Sequence, residues 1–233
     1  MISKYKSLKE ECLESNLKLN ELGLVLYTFG NVSAVDRNNA VFAIKPSGVP
    51  YEKLTASDIV VVDFDNVVVE GKLKPSSDTK THSLLYKQWK EIGGISHSHA
   101  KFSCAWAQSL MDIPIFGTTH ADHLTTDIPC TSPMKDELIK GNYEHNTAIQ
   151  ILETFEEKKI SYKEVEMVLV GNHGSFTWGL DAQKSGYNNR VLEEISELAF
   201  MTLNLNPNAM RLKDSLIQKH YDRKHGVNSY YGQ

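Results

Sequence analysis

Two pairs of apolar runs, each pair divided by a short polar turn, follow one another in the first third of the chain. Ala34-Val35 and Val41 to Ile44 flank Asp36-Arg37-Asn38-Asn39, and Ile59 to Phe64 and Val67 to Val69 flank Asp65-Asn66. Turns rich in Asp and Asn between β-branched runs mark hairpins, whose strands are antiparallel. Parallel strands need a crossover of about a dozen residues or more, so consecutive hairpins exclude an all-parallel doubly wound sheet. Further strands are predicted over Leu24 to Phe29, Ile95 to His99, Ile113 to Phe116, Met167 to Val170 and Ser175 to Trp178, with Gly117 to Asp122 as a loop. Helices are predicted from about Tyr5 to Leu22 (Leu8, Cys12, Leu19 and Leu22 near one stripe, Gly23 as the cap) and over Thr79 to Trp89. Four more cover Ala100 to Gln108, Glu144 to Phe155, Asp181 to Leu203 and Leu212 to Lys224. The expected fold class is α/β: a three-layer αβα arrangement with a mixed, largely antiparallel sheet flanked by helices, in one domain over residues 1–233.

Composition narrows the function classes. Of 233 residues 41% are hydrophobic and 23% charged, with a net charge of −4, so nothing global points to a polyanion, and nucleic acid is not the expected partner. The three cysteines, Cys12, Cys104 and Cys130, form no CxxC pair and argue against a disulfide framework. Met1 to Glu10 lacks the shape of a signal peptide, and no stretch approaches the ~20 apolar residues of a membrane span. A cytoplasmic protein without a membrane partner is the expectation.

Chemistry concentrates around Gly93-Gly94-Ile95-Ser96-His97-Ser98-His99. On a strand, residues two apart share a face, so His97 and His99 can aim at one point, half of a site for zinc or a similar ion. Asp78, before a helix, is a third candidate, or else that helix's N-cap. His173 lies between Gly171 and Gly174, where a tight bend can lift its ring out of the sheet, or else is a simple turn residue. His82, His120, His123, His145, His220 and His225 compete, and His120 could orient a ligand.

Gly30-Asn31, Ser47-Gly48 and Ser76-Ser77 form three small turns rich in donors, and Lys45 adds charge, a set suited to a phosphate. No Walker or dinucleotide glycine pattern is present. Asp122 and Tyr231 are candidate proton carriers. Two adjacent tyrosines near the C-terminus, in Tyr230-Tyr231-Gly232-Gln233, point to a docked tail or to one that closes a site.

The ordered set of motifs resembles a known family. Gly30-Asn31-Val32-Ser33, Ile44 to Gly48, Pro75 to Thr79, His97-Ser98-His99, Gly117 to Asp122, His173-Gly174 and Lys224-His225-Gly226 with the terminal Tyr-Tyr-Gly-Gln are similar to the L-ribulose-5-phosphate 4-epimerases. These belong to the class II aldolase/adducin-head superfamily, and the likeness runs from about Leu24 to Gln233. It implies a zinc-dependent isomerase, with Mn2+ or Co2+ as possible substitutes, that interconverts L-ribulose 5-phosphate and D-xylulose 5-phosphate by retroaldol cleavage and re-formation of C3–C4. It implies metal ligands at Asp78, His97, His99 and His173, and substrate and phosphate contacts at Gly30, Asn31, Lys45, Ser47, Gly48, Ser76 and Ser77. Asp122 and Tyr231 match the acid/base pair, Thr118 and Glu144 match contacts to a neighbouring subunit's site, and the assembly is a homotetramer with active sites between subunits. L-arabinose or L-ascorbate degradation is the implied setting. The alternatives are a sugar-1-phosphate aldolase of the L-fuculose-1-phosphate type, which usually has Glu where this chain has Asp78, and a non-catalytic adducin-type interaction head. A metal-dependent sugar-acid or methylthioribulose-phosphate dehydratase, which shares the histidine set, is a third.

Overall fold

A computed structural model describes residues 3–227 and 229–231. The two early hairpins are β1 (Asn31–Asp36) with β2 (Val41–Ile44), and β3 (Val60–Asp63) with β4 (Val68–Glu70). Their turns close as the residue types require. The Asp36 carboxylate accepts from the Asn39 backbone N–H and side-chain amide, and the Asp63 carboxylate accepts from the N–H groups of Asp65 and Val67. Asn66 takes the left-handed φ of 67° that an asparagine tolerates.

The hairpins join β5 (Gly94–Ser98), β6 (Met167–Val170) and β7 (Gly174–Gly179) in one sheet ordered β4-β3-β2-β1-β5-β7-β6. Every strand pair is antiparallel; a parallel contact appears as a single bridge, Cys130 to Leu169. Both faces are buried, which explains why β2 and β3 read as unbroken apolar runs. Val41 and Ala43 pack with Cys12 and Leu19 of α1 (Lys6–Glu21), while Phe42 and Ile44 pack with Leu85 and Tyr86 of α2 (Thr79–Gln88). Helix α3 (Lys101–Ser109) leaves β5 directly. The one-turn helices α4 (Thr118–Ala121) and α5 (Asp136–Ile139) follow, and α6 (Tyr143–Glu157) pairs with α2. The long α7 (Ala182–Leu205) lies on β5 and β7 beside α1, with the Asp181 carboxylate accepting from the Lys184 N–H as an N-cap. Helix α8 (Asp214–His225) packs on α4 through Ile115, Ala121 and Ile217.

Three expectations need correction. Leu24 to Phe29 is not a strand: Tyr27 at φ 55° breaks the extended run, the Phe29 N–H turns back to the Leu26 carbonyl, and only Leu24 of its large side chains is buried. Ile113 to Phe116 makes one bridge, Ile113 to Ile128, because no neighbouring strand lies alongside. Gly117 to Asp122, read as a loop, contains the single turn α4.

The far end of the core is an aromatic cluster of Trp89, Phe155, Tyr162 and Trp178. Trp89 stacks on Tyr162 with centroids 4.8 Å apart, and the Trp178 indole N–H donates to the Tyr162 carbonyl at 2.7 Å. Trp178→Ala deletes a fully buried ring; urea unfolding should show a loss of about 3–5 kcal/mol, and a loss below about 1 kcal/mol would contradict this packing.

Candidate metal centre and phosphate cleft

The sheet register assembles the histidines. In β5, His97 lies opposite Asn31 of β1 and Phe176 of β7, and opposed residues share a face. The Phe176 ring stacks on the His97 imidazole, centroids 4.2 Å apart and planes 19° apart. His99 follows the strand end on the same side. Because Ser98 pairs with Ser175, the β6–β7 turn ends beside His99, and His173 in that turn faces both rings. The left-handed residue of the turn is Asn172 (φ 61°), not a glycine. Gly174 is needed for close approach instead: a Cβ there would lie 2.7 Å from the Ser98 carbonyl oxygen and 3.1 Å from His99 Cδ2.

His97, His99 and His173 each offer one ring nitrogen, and these lie within 4.8 Å of one another. The Ser175 carbonyl, 2.8 Å from His97 Nδ1, can only accept, so Nδ1 carries the proton and the Nε2 lone pair is free. That lone pair faces His99 Nε2 at 3.0 Å. A shared proton or a shared cation satisfies two facing nitrogens; a third nitrogen at the same point selects the cation. Tyr143 Oη, 3.4 Å from His173 Nδ1, orients the third ring. Burial, reinforced by His99, pushes His97 down to about 3, and burial lowers His99 and His173 as well. Neutral imidazoles are the form that ligates a metal, so this donor set fits a divalent ion.

Asp78 occupies the N-cap position of α2, yet its carboxylate makes no capping hydrogen bond. Asn31 Nδ2 donates to its Oδ2 at 2.7 Å and also to Ser76 Oγ. The carboxylate borders the same cleft as the histidines but stands outside the three-nitrogen cluster.

The cleft holds about 370 Å3, within the range of small-molecule sites. Its wall includes Gly30, Asn31, Lys45, Ser47, Gly48, Ser76, Ser77, Asp78, His97, His99 and His173. The Ser47-Gly48 and Ser76-Ser77 turns meet because Pro46 and Pro75 bridge, with the Ser76 N–H on the Lys45 carbonyl and the Ser47 N–H on that of Lys74, and the Asn31 amide ties in the Gly30-Asn31 turn through Ser76 Oγ. Gly30 adopts φ +74°, and a Cβ there would lie 2.8 Å from the His97 carbonyl oxygen. Lys45 is buried, its Nζ 3.2 Å from the Thr28 carbonyl and 4.7 Å from the Tyr51 ring centroid, and burial lowers it to about 8. A phosphate beside it would hold it charged. A larger cleft of about 720 Å3 between α1 and α7 has no comparable cluster of ligands.

Asp122, Tyr231 and Thr118 do not line the cleft. Asp122 and Thr118 belong to the α4 turn, and Asp122 is gripped by His220 and Arg223 of α8. Tyr231 lies under Arg223. Glu144 borders the cleft of its own chain, because the Thr81 hydroxyl on its carbonyl ties α6 to the start of α2. His120 orients no ligand, since its Nε2 meets the Thr126 carbonyl. His82 is buried under the sheet, bonded to Ser33 Oγ and edge-on to Phe176. Sequence reasoning missed Tyr143, Phe176 and Phe29, which also faces the cleft. Phe176, three residues beyond His173, was open to discovery through strand pairing; Tyr143 and Phe29 left no pattern.

Two outcomes follow. His82 and His97 are held near 3 and His120 near 4, each by burial first, whereas a free imidazole titrates near ~6.5. The unfolded chain therefore binds more protons below that pH. Stability of the metal-free protein is full above about pH 6.5 and falls on acidification, by up to about 1.4 kcal/mol per pH unit for each ring; a melting temperature flat from pH 7 to 5 would contradict this. Gly174→Ala should lower the metal content of the purified protein while leaving it folded by circular dichroism, and undiminished metal would contradict the close approach.

Residues 10–200 match the family described as Class II Aldolase and Adducin N-terminal domain. Proteins named L-ribulose-5-phosphate 4-epimerase UlaF from Salmonella paratyphi A and Salmonella typhi are each 45% identical over 228 residues, 98% of this chain and 99% of theirs. Among solved structures, an L-fuculose 1-phosphate aldolase superposes with a TM-score of 0.77 at 24% identity, covering 96% of this chain and 97% of that one. The L-fuculose-1-phosphate aldolase of Thermus thermophilus gives 0.66 at 20% identity, over 88% and 98%. At those identities the structures speak for the fold, and the sheet with helices on both faces agrees. The chain belongs to the class II aldolase and adducin N-terminal domain family, with L-ribulose-5-phosphate 4-epimerases among its full-length relatives.

Proposed function

We propose that this enzyme interconverts L-ribulose 5-phosphate and D-xylulose 5-phosphate, as a single domain over residues 1–233. The observation that carries the reading is one cleft lined by a three-imidazole cluster and by three donor turns around a buried lysine. The likeness to the epimerases supplies the substrate. His97, His99 and His173 would hold a zinc ion with Asp78 beside them, and Mn2+ or Co2+ could substitute. The ion, when bound, supplies Lewis-acid stabilisation of charge on the ketose oxygens.

The rest falls to this chain's residues. C4 is not adjacent to the carbonyl, so α-proton abstraction cannot invert it; breaking and re-forming C3–C4 can. Lys45, with the Ser47-Gly48 and Ser76-Ser77 turns and Asn31, keeps the phosphate of the cleaved aldehyde in place while its carbonyl end rotates. Inversion presents the C4 oxygen from two opposite sides in turn, so two proton carriers are needed, and Asp122 and Tyr231 fill those roles. Neither borders the cleft of its own chain, which supports an assembly in which an adjacent protomer brings them there. A homotetramer with sites between protomers is part of this reading, with Thr118 carried on the same α4 turn and Glu144 at the rim. No described helix is long and apolar enough to cross a membrane, in keeping with a cytoplasmic role in L-arabinose or L-ascorbate breakdown.

Incubation with L-ribulose 5-phosphate should yield D-xylulose 5-phosphate. Lys45→Met should raise KM at least about tenfold through the lost phosphate contact, and His97→Asn should lose metal and turnover together. Release of dihydroxyacetone phosphate from a sugar 1-phosphate, without epimerisation, would move the assignment to the aldolases. No turnover and no metal would move it to the non-catalytic heads.

A further inference from the structure

Outside the cleft, the last turn of α8 carries a second cluster, centred on Arg223. Its Nε and Nη2 donate to Asp122 Oδ1 and Oδ2 at 2.9 and 2.7 Å, the two-point geometry that only a guanidinium offers a carboxylate. The same guanidinium lies over the Tyr231 ring, Cζ 4.1 Å from the centroid. Its backbone carbonyl accepts from the N–H groups of Tyr230 and Tyr231 at 3.0 and 3.1 Å. His220 Nδ1 adds a contact to Asp122 Oδ1 at 2.9 Å, and His225 Nε2 reaches the Asp122 carbonyl at 3.0 Å. Among the described residues, Arg223 touches both Asp122 and Tyr231, which lie 109 positions apart in the sequence.

A carboxylate has about four lone-pair sites. Three donors occupy two on Oδ1 and one on Oδ2, which leaves a single free direction, on Oδ2. The fork therefore decides where Asp122 can accept a proton, and the cation–π contact with the ring decides where the phenol of Tyr231 stands relative to it. Neither group is fixed by its own backbone element alone: Asp122 closes a one-turn helix, and Tyr231 lies in a tail beyond α8.

We infer that Arg223 is a positioning residue that sets Asp122 and Tyr231 as one preassembled pair of proton carriers. This rests on the epimerase reading, in which those two groups act on the substrate. Lysine cannot replace it, because an ammonium does not fork onto a carboxylate.

The test uses the full-length, metal-loaded protein. Arg223→Lys and Arg223→Met should lower kcat by roughly 10- to 100-fold, the loss that misplacement of about 1 Å produces. KM, metal content and melting temperature should stay close to the parent's, since the cleft is untouched. Arg223→Met should cost far less when added to Asp122→Asn or Tyr231→Phe, because it acts through those groups. Hydrogen exchange at the Tyr230 and Tyr231 amides should quicken in Arg223→Met, a readout that needs no turnover. Unchanged kcat in Arg223→Lys would overturn the inference, and so would a full additional loss on both variant backgrounds. A parent protein without epimerase activity would sink the epimerase reading; unchanged exchange at the tail would sink the Arg223 coupling on its own.

Discussion

The site depends on the register of β5 between β1 and β7. Antiparallel pairing sets His97 opposite Asn31 on one side and Phe176 on the other, and it brings the β6–β7 turn level with His99. A shift of one residue would turn His97 to the α7 face and leave His99 and His173 without a partner. The register is held from both faces. Ile95 packs in the aromatic core, while Ser98 bonds Asn189 of α7 at 2.7 Å. Glu193 of α7 accepts the Phe102 and Ser103 N–H groups at the start of α3, which fixes how the chain leaves His99.

That frame carries an electrostatic cost which the site turns to use. Burying imidazoles disfavours their charged form, so the His97, His99 and His173 rings stay neutral and keep lone pairs for a cation. Burial acts on Lys45 in the same direction, but from a higher starting value, so at about 8 it stays mostly charged at neutral pH. Its depressed basicity marks a cation kept in a poorly solvated wall, where an anion is the natural complement. One end of the cleft thus favours a cation and the other an anion, as a phosphorylated sugar held by a metal would require.

Much of this was legible in the residues. Hairpin turns and β-branched runs gave the antiparallel sheet, because turn chemistry is local. The His-x-His spacing brought two imidazoles to one point through the two-residue period of a strand. The third imidazole, His173, rested on the flanking glycines, and the left-handed residue of the bend is Asn172, with Gly174 serving close approach. Asp78 illustrates where local reading stops: a carboxylate before a helix looks like a cap, and only the long-range contact with Asn31 shows it turned into the cleft. Leu24 to Phe29 failed for a related reason, since apolar content does not reveal a left-handed tyrosine. The grip of α8 on Asp122 spans about a hundred residues and leaves no trace in spacing.

The most direct measurement of the candidate metal centre is X-ray absorption at the cobalt edge on protein loaded with one equivalent of Co2+. A first shell with three imidazole nitrogens at about 2.0–2.1 Å is the expected result. A shell of oxygen atoms alone, or cobalt that washes away under mild dialysis, would contradict it.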